Sequence, residues 1–166
     1  MTNLNPNPTV AYIGMGANLG DAIGTLLNAC DALHQLEHTS EVRISGFYQT
    51  APVDADGPDY INAVAALSTR LTAPALLEAL FAIENKYGRE RSYPNAPRTL
   101  DLDLLLYGNE QFALPELTVP HPRLHLRAFV LYPLAELAPT LQLAQGSIKD
   151  LLQRVADQPI RPLDQD

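Results

Sequence analysis

The chain has 166 residues, of which 46% are hydrophobic and 18% charged, as is typical of one globular domain. Its 11 Lys and Arg residues against 19 Asp and Glu residues give a formal net charge of -8, which argues against a general binder of nucleic acid or anionic membranes. No run of about eighteen apolar residues occurs, and the first residues lack the basic and apolar regions of a signal peptide. With Cys30 as the single cysteine, we expect one cytoplasmic domain over residues 1–166, with a flexible tail at 1–8.

The first half of the chain begins with a strand pattern followed by a helix pattern. Apolar residues rich in β-formers predict a strand at 9–15, and a glycine-rich turn then leads to Asp21. Asp21 is a suitable cap for a helix whose leucines recur at helical spacing. Residues 42–48 and 60–67 are both strand-like, and the stretch that joins them is too long for a tight hairpin.

A second helix is predicted from Thr72, its cap, to Gly88, where it stops, and a fourth strand covers 99–107. The order strand, helix, strand, strand, helix, strand is typical of an α+β fold with a ferredoxin-like βαββαβ core and an antiparallel sheet. Beyond this core, a helical pattern at 128–137 and a final helix capped by Ser147 predict C-terminal helical extensions of the same domain.

Two acids share one face of the predicted fourth strand. Because successive side chains of a strand point to opposite faces, Asp101 and Asp103 lie on one face together with Leu105 and Tyr107. The opposite face is expected to point into the core and carries only leucine: Leu100, Leu102, Leu104 and Leu106. The two carboxylates, with α-carbons about 6.6 to 7 Å apart, repel each other unless a hard cation such as Mg²⁺ lies between them. A half-exposed strand with solvated acids is the alternative that the pattern leaves open.

The segment before this strand concentrates positive charge in an otherwise acidic protein. Arg89, Arg91 and Arg98 lie between the second helix and the acids, in a stretch with two prolines and no apolar period. Arginine presents a planar fork that matches phosphate oxygens, so this loop and the two aspartates together indicate phosphoryl transfer. The alternative is that these arginines only pair with neighbouring acids.

Other motifs are weaker. The glycines at 14, 16 and 20 do not have the G-x-G-x-x-G spacing of a dinucleotide loop, and no P-loop motif is present. His34 and His38 lie four residues apart on the first helix, but no zinc motif accompanies them, so a solvated helix face is favoured. His121 is flanked by two prolines that restrict its backbone, although a lone histidine is more often structural than catalytic.

Five segments, in order along the chain, make it resemble a known family. They are Phe47-Tyr48-Gln49-Thr50-Ala51-Pro52, Asp59-Tyr60-Ile61-Asn62-Ala63, Gly88-Arg89-Glu90-Arg91, Pro97-Arg98-Thr99-Leu100-Asp101-Leu102-Asp103 and Leu117-Thr118-Val119-Pro120-His121-Pro122-Arg123. The chain resembles the 6-hydroxymethyl-7,8-dihydropterin pyrophosphokinases of folate biosynthesis, from about Tyr12 to Pro139. The resemblance implies transfer of the β,γ-pyrophosphoryl group of ATP to the pterin hydroxymethyl oxygen, with release of AMP.

The resemblance also implies roles for individual residues. Asp101 and Asp103 match ligands of two Mg²⁺ ions, and Arg89 and Arg98 match catalytic arginines that close over the phosphates. Residues at or near matched ATP positions are Glu84, Arg91, Thr118, His121 and Arg127. Residues that match the pterin side are Thr50, Pro52, Val53, Tyr60, Asn62 and Phe129, among which an aromatic to stack on the flat pterin and an amide to pair with its edge are chemically apt.

Two other functions remain as alternatives. A magnesium-dependent phosphohydrolase would use the same acids on another phosphate ester, and a ferredoxin-like module would bind a nucleotide without turnover. Retention of both loop arginines with both aspartates favours the pyrophosphokinase. We expect a monomer that binds ATP and the dihydropterin, with no nucleic-acid or membrane partner.

Overall fold

The computed structural model describes residues 4–18, 20–51, 58–87 and 100–163. The strands of its main sheet are β1 (Leu4–Ala17), β2 (Thr39–Ile44), β3 (Tyr48–Thr50), β4 (Tyr60–Leu71), β5 (Asp101–Tyr107) and β10 (Arg161–Pro162). Two small hairpins are formed by β6 (Phe112–Leu114) with β7 (Leu117–Val119) and by β8 (Gln142–Leu143) with β9 (Gly146–Ser147). The helices are α1 (Ala22–His34), α2 (Ala73–Tyr87), α3 (Ala128–Leu137) and α4 (Ile148–Arg154), and a 3-10 turn covers Leu124–Leu126.

The main sheet is antiparallel throughout, with strand order β10-β3-β4-β1-β5 and β2 paired to the remaining length of β4. β1 and β4 are the long central strands. β5 pairs with β1, and β2 and β3 pair with β4. The predicted mixed α+β class and antiparallel sheet are confirmed. None of the helices within the described ranges is long and apolar enough to cross a membrane.

Apolar side chains cover both faces of the sheet. On one face, α1 and α2 pack with Leu26, Leu33, Leu76 and Leu80 against the sheet residues of a first core. On the other face, α3 and α4 pack against a second core that includes Leu105, Leu131 and Leu151. Burial of these side chains is the main favourable contribution to folding, and it makes both faces of the central strands internal.

The local helix signals are borne out. Asp21 accepts a hydrogen bond from the backbone N–H of Gly24 at 3.0 Å, and Ser147 accepts one from Asp150 at 3.1 Å, so both residues cap the helices that follow them. The Thr72 hydroxyl lies 3.4 Å from the N–H of Ala75. Helix α3 covers the predicted range 128–137.

Two strand predictions need correction. The first strand begins at Leu4 instead of residue 9, so residues 4–8, predicted as part of a flexible tail, belong to β1. The strand predicted at 42–48 is divided into β2 and β3, because Ser45 interrupts the ladder. The Ser45 hydroxyl accepts the N–H of Val64 at 2.9 Å and its own N–H donates to the carbonyl of Val64, so a side chain replaces one backbone partner.

The alternation predicted for the fourth strand holds through Leu105 and is wrong for Leu106 and Tyr107. Ile13 of β1 is opposite Leu104, and its preceding neighbour Tyr12 is opposite Leu106. Leu105 has no partner on β1 and is therefore an extra residue in β5. This bulge turns Leu105 and Leu106 to the same face, and Tyr107 joins the first core with the leucines at 100, 102 and 104. Asp101 and Asp103 precede the bulge and keep the predicted alternation.

Candidate active site

The two aspartates lie in two neighbouring rows that cross the sheet. Asp103 is opposite Gly14 on β1, and Gly14 is opposite Val64 on β4. The second row runs from Asp101 through Gly16 and Asn62 to Tyr48 on β3. Residues in register share a face, and Val64 belongs to the second core, so both acids lie on the face that α3 covers. Asp103 is exposed and Asp101 is partly buried, so α3 does not cover these two acids completely.

Glycines form the floor beside both acids. A Cβ atom at Gly16 would lie 3.1 Å from the side-chain oxygen of Asn62, and one at Gly14 would lie 3.3 Å from the side chain of Leu105. Neither glycine has a positive φ, so a larger residue could adopt the backbone conformation at both positions. It would instead clash with the neighbouring side chains on this face. Side chains of the neighbouring strands therefore reach over both glycines, with the Asn62 amide on one side of the second row and the carboxylates on the other.

Thr50 and Asn62 form a buried polar pair at the β3–β4 side of the second row. The Asn62 amide nitrogen donates to the Thr50 hydroxyl at 2.9 Å, and the two residues are 6% and 9% exposed. This bond fixes the amide with its oxygen toward Gly16. Tyr60, half-buried, is opposite Thr50 in the β3–β4 ladder. Three of the residues predicted for the pterin side are thus adjacent.

Phe129 and Arg127 come from the start of α3, on the same face of the sheet. The Arg127 guanidinium lies 5.3 Å from the centre of the Phe129 ring, within the range of a cation–π contact. Arg127 occupies the position before the first helical residue, but its side chain makes no capping hydrogen bond. One residue predicted for ATP and one predicted for the pterin are therefore held side by side.

His121 is held beside β5 by its backbone. Its N–H donates to the carbonyl of Leu105 at 2.9 Å, and its Nδ1 accepts the N–H of Arg123 at 3.2 Å. Burial lowers the pKa of His121 below its ordinary value; the negative charge of Asp103 opposes this shift, and Arg127 and Arg123 add to it. A neutral imidazole with Nδ1 as acceptor carries its proton on Nε2. His121 thus lies within the electrostatic reach of both Asp103 and Arg127.

Glu84 is buried on the other face of β5. It is 2% exposed, and one of its carboxylate oxygens accepts the backbone N–H of Leu102 at 2.8 Å. Leu102 is the residue between the two aspartates, so an acid of α2 holds the strand that presents them. Thr118, also predicted for the ATP side, is exposed on β7 in the separate β6–β7 hairpin, where its hydroxyl donates to the carbonyl of Leu114 at 3.3 Å.

Five predicted site residues lie outside the described ranges: the arginines at 89, 91 and 98, together with Pro52 and Val53.

Sequence reasoning missed the contributions of Gly14 and Gly16. Their spacing was compared only with a dinucleotide loop, although two glycines two apart within a strand are themselves a signal for a close approach on one face. It also missed Glu136 on α3, whose carboxylate accepts the hydroxyl of Tyr48 and, at 2.9 Å, the N–H of Gly46. No local pattern in the sequence predicts that contact, because the partners are about ninety residues apart.

An open groove of about 530 Å³ lies elsewhere on the same strands. Its lining includes Thr9, Tyr12, Leu106, Asn109 and Leu141, so it lies toward the start of β1 and the end of β5. None of its lining residues belongs to the two rows that contain the aspartates.

Comparison with known proteins identifies the family. Residues 12–139 match 7,8-dihydro-6-hydroxymethylpterin-pyrophosphokinase (HPPK). The chain is 47% identical over 136 residues to the 2-amino-4-hydroxy-6-hydroxymethyldihydropteridine pyrophosphokinase of Pseudomonas aeruginosa, covering 81% of this chain and 84% of that protein. It is 44% identical over 149 residues to the enzyme of the same name from Haemophilus influenzae, covering 89% of this chain and 93% of that protein.

Solved structures support the same fold. A triple mutant of Plasmodium falciparum HPPK-DHPS crystallised with STZ-DHP superposes with a TM-score of 0.72 at 13% identity, covering 90% of this chain. The wild-type P. falciparum HPPK-DHPS with SDX-DHP superposes with a TM-score of 0.70 at 12% identity. The chain spans 44% and 45% of those two solved chains, less than half of their length. Taken with the matched residues 12–139, the comparisons establish that the chain belongs to the 7,8-dihydro-6-hydroxymethylpterin-pyrophosphokinase family.

Proposed function

We propose that this chain transfers the β,γ-pyrophosphoryl group of ATP to the hydroxymethyl oxygen of 6-hydroxymethyl-7,8-dihydropterin, giving AMP and the pterin diphosphate in folate biosynthesis. The observation that carries the proposal is the row Asp101–Gly16–Asn62, in which a carboxylate and a buried amide flank a glycine floor. Membership of the family supports the same activity. The row has a carboxylate that can bind a phosphate-bound metal ion at one end and an amide that can pair with a flat heterocycle at the other.

The aspartates suit Mg²⁺. Carboxylate oxygens are its preferred protein ligands, and Asp103 is exposed, so an ion at this acid can keep water and phosphate ligands. Within the described part of the chain no three His, Cys, Asp or Glu side chains are grouped to hold a metal, so Asp101 and Asp103 would share each ion with oxygens of ATP and water. We assign two Mg²⁺ ions to this pair. When bound, Mg²⁺ supplies positive charge that offsets the charge of the triphosphate and of the two acids.

The nucleotide side is assigned to Glu84, Arg91, Thr118, His121 and Arg127. His121 is supported by the electrostatic influence of Asp103 on it, and Arg127 by its influence on His121. A neutral imidazole at His121 donates from Nε2 without adding a charge that would repel Arg127. For Glu84, burial and the bond to Leu102 favour an indirect contribution through the strand that carries the acids.

The pterin side is assigned to Thr50, Pro52, Val53, Tyr60, Asn62 and Phe129. The Asn62 amide can pair with the heterocycle edge while its other side stays on Thr50, and the Phe129 ring offers a surface for stacking. Since Asn62 and Thr50 are buried, a ligand that did not match their hydrogen bonds would leave polar groups unpaired, which makes the site selective.

The reaction is a displacement at the β-phosphorus. The hydroxymethyl oxygen forms a bond to the β-phosphorus, the bond from that phosphorus to the bridging oxygen of AMP breaks, and AMP leaves with the electron pair while the hydroxyl proton passes to solvent. The residues of the chain contribute mainly alignment and charge, as in other phosphoryl transfers. We assign stabilisation of the transferred group to Arg89 and Arg98.

The wider architecture follows the same assignment. The four core strands lie in the order β3-β4-β1-β5, which are the second, third, first and fourth strands of the βαββαβ pattern. This order supports the ferredoxin-like class, with α3 and α4 as C-terminal extensions of a single domain. We propose that the chain acts as a monomer in the cytoplasm, since both substrate sides are built from residues of one chain and the single cysteine is a buried thiol.

The test is to mix the protein with ATP, Mg²⁺ and the dihydropterin and to separate the nucleotides by chromatography. We expect AMP and pterin diphosphate in equal amounts, and neither without the pterin. AMP no higher than in the enzyme-free mixture would refute the proposal. Inorganic phosphate released without the pterin would indicate a phosphohydrolase, and ATP binding without any product would indicate a binding module.

A further inference from the structure

The last described residues return to the candidate active site. Gln158–Leu163, called here the C-terminal strap, follow α4 and include β10. They lie beyond residues 12–139, the part of the chain that matches the family. They contact two of the elements that carry pterin-side residues, namely the start of α3 and the strand β3.

At α3, the strap makes a two-point contact through one side chain. The Gln158 amide oxygen accepts the N–H of Ala128 at 2.9 Å, and its amide nitrogen donates to the carbonyl of Leu126 at 2.9 Å. These two backbone groups flank Arg127. Since Arg127 does not cap α3 with its own side chain, Gln158 satisfies a helix N–H that would otherwise lack a partner in the helix.

At β3, the strap is paired through its backbone. Arg161 is opposite Gln49 and Pro162 is opposite Tyr48, and the N–H of Leu163 donates to the carbonyl of Phe47 at 2.8 Å. The Arg161 guanidinium also donates to the Gln49 side-chain oxygen at 2.9 Å. Gln49 and Tyr48 immediately precede Thr50, the residue that holds the Asn62 amide.

We infer that the C-terminal strap is a positioning element for the pterin pocket, with Gln158 as its key residue, an inference that rests on the proposed function. Phe129 and Thr50 belong to different elements, α3 and β3, and the strap contacts both. A ligand placed between an aromatic ring and an amide edge loses affinity when either shifts, because stacking and hydrogen bonding both depend on separation. Gln158 acts through the backbone of α3 and not by touching the substrate.

Gln158 is exposed, which makes it a clean site for substitution. Gln158→Met keeps the length of the side chain and removes both hydrogen bonds. Gln153→Met is the matched control, because Gln153 is an exposed glutamine on α4, in the same C-terminal region, and is not bonded to α3. Both variants replace an exposed glutamine by methionine, but only Gln158→Met removes hydrogen bonds to the start of α3.

The measurements are the KM values for the dihydropterin and for ATP, kcat, and the melting temperature of each full-length variant. For Gln158→Met we expect the pterin KM to rise roughly three- to tenfold, because the start of α3 shifts and Phe129 no longer stacks at its best distance from the pterin. We expect the melting temperature to fall by a few degrees below that of Gln153→Met, because the N–H of Ala128 loses its partner. Gln153→Met itself should match the wild type in every measurement.

Three outcomes separate the inferences. A pterin KM for Gln158→Met equal to that of Gln153→Met, in an active protein, would overturn the role of the strap and leave the proposed function intact. A lower melting temperature with an unchanged pterin KM would do the same, because it would show a contribution to stability alone. A wild-type protein that makes no AMP would instead overturn the proposed function.

Discussion

The carboxylate of Glu84 accepts the backbone N–H of Leu102 at 2.8 Å, so a buried acid on α2 holds the residue between Asp101 and Asp103. β5 is an edge strand of the main sheet, and its outer side would otherwise present free backbone groups. Glu84 covers this side at Leu102, and the N–H of His121 covers it at the carbonyl of Leu105. The strand that presents the two aspartates is therefore held on its outer side by side-chain and backbone contacts.

Glu84→Ala should destabilise the fold. The Leu102 N–H would lose its acceptor in a buried place, which costs about 1 to 3 kcal/mol for a backbone donor left unsatisfied. Glu84→Gln retains an oxygen that can accept this bond and should lose less. Urea denaturation followed by circular dichroism measures both free energies of unfolding. Equal stability of Glu84→Ala and the wild type would contradict the anchoring contribution.

Asp103→Ala should abolish most of the activity while the fold persists. Asp103 is exposed, so its removal leaves no cavity, but it takes away a ligand for charge on the reacting phosphates. We expect kcat/KM to fall by roughly 100-fold or more, the scale seen when one group that stabilises transition-state charge is removed. Glu110→Ala, at an exposed acid just after β5, is the control and should stay near the wild-type rate. An Asp103→Ala enzyme of near-normal rate would refute the metal assignment.

Gly16→Ala should impair pterin binding more than ATP binding. Its new Cβ would lie 3.1 Å from the Asn62 side-chain oxygen, so the amide would have to move by a few tenths of an ångström away from its place on Thr50. Gly14→Ala is the comparison, because its Cβ would lie 3.3 Å from the side chain of Leu105, which is not a pterin-side residue. Steady-state kinetics should show a pterin KM several-fold higher for Gly16→Ala than for Gly14→Ala. Similar values would argue that the Asn62 amide does not contact the pterin.

The thiol of Cys30 should resist alkylation in the folded protein. Burial, with a smaller contribution from the charge of Asp31, raises the pKa of Cys30 from 9.0 to about 11. At pH 8.5 the thiol is therefore protonated, and iodoacetamide, which reacts with the thiolate, should modify the native chain slowly and the urea-unfolded chain fast. Mass spectrometry after timed quenching measures both rates, and equal rates would contradict the prediction.

The raised pKa of Cys30 also predicts the direction in which the free energy of unfolding changes with pH. Between about pH 9 and 11 the unfolded chain loses the Cys30 proton while the folded chain keeps it, so this group lowers the free energy of unfolding as the pH rises. Cys30→Ala should reduce this part of the alkaline loss of stability. Urea denaturation of both proteins at pH 8 and pH 10 measures the difference.

Tyr48 and Glu136 should be energetically coupled. The Tyr48 hydroxyl donates to the Glu136 carboxylate, and burial together with this neighbouring negative charge raises the pKa of Tyr48. Tyr48→Phe should cost about 0.5 to 1.5 kcal/mol, the net value of a typical hydrogen bond. A double-mutant cycle with Glu136→Gln isolates the interaction, and strictly additive effects of the two changes would show that this contact does not stabilise α3 against β3.

Much of the architecture was predictable because its causes are local. Asp21 and Ser147 cap helices through bonds to residues three positions on, and the apolar period of α3 lies within its own ten residues. The family was also predictable from short segments such as Pro97-Arg98-Thr99-Leu100-Asp101-Leu102-Asp103, and the match over residues 12–139 confirms it. The shared face of Asp101 and Asp103 needed only the two-residue period of a strand.

Features that depend on pairing between distant segments were not predictable in this way. The bulge at Leu105 depends on which residues of β1 lie opposite, and the interruption at Ser45 depends on Val64. A strand pattern contains no information about register, so the alternation predicted through Tyr107 was wrong once the extra residue intervened. The same holds for the extension of β1 to Leu4, which follows from its partner Leu71.

That two acids share a strand face near arginines, and that the chain belongs to this family, could be predicted without the fold. The surroundings of the acids required the folded chain: the glycine floor of Gly14 and Gly16, the buried pair of Asn62 and Thr50, and the contact of Gln158 with α3. The physical reason is that hydrogen bonds and register join segments that are tens of residues apart, whereas periodicity and capping act within a few residues.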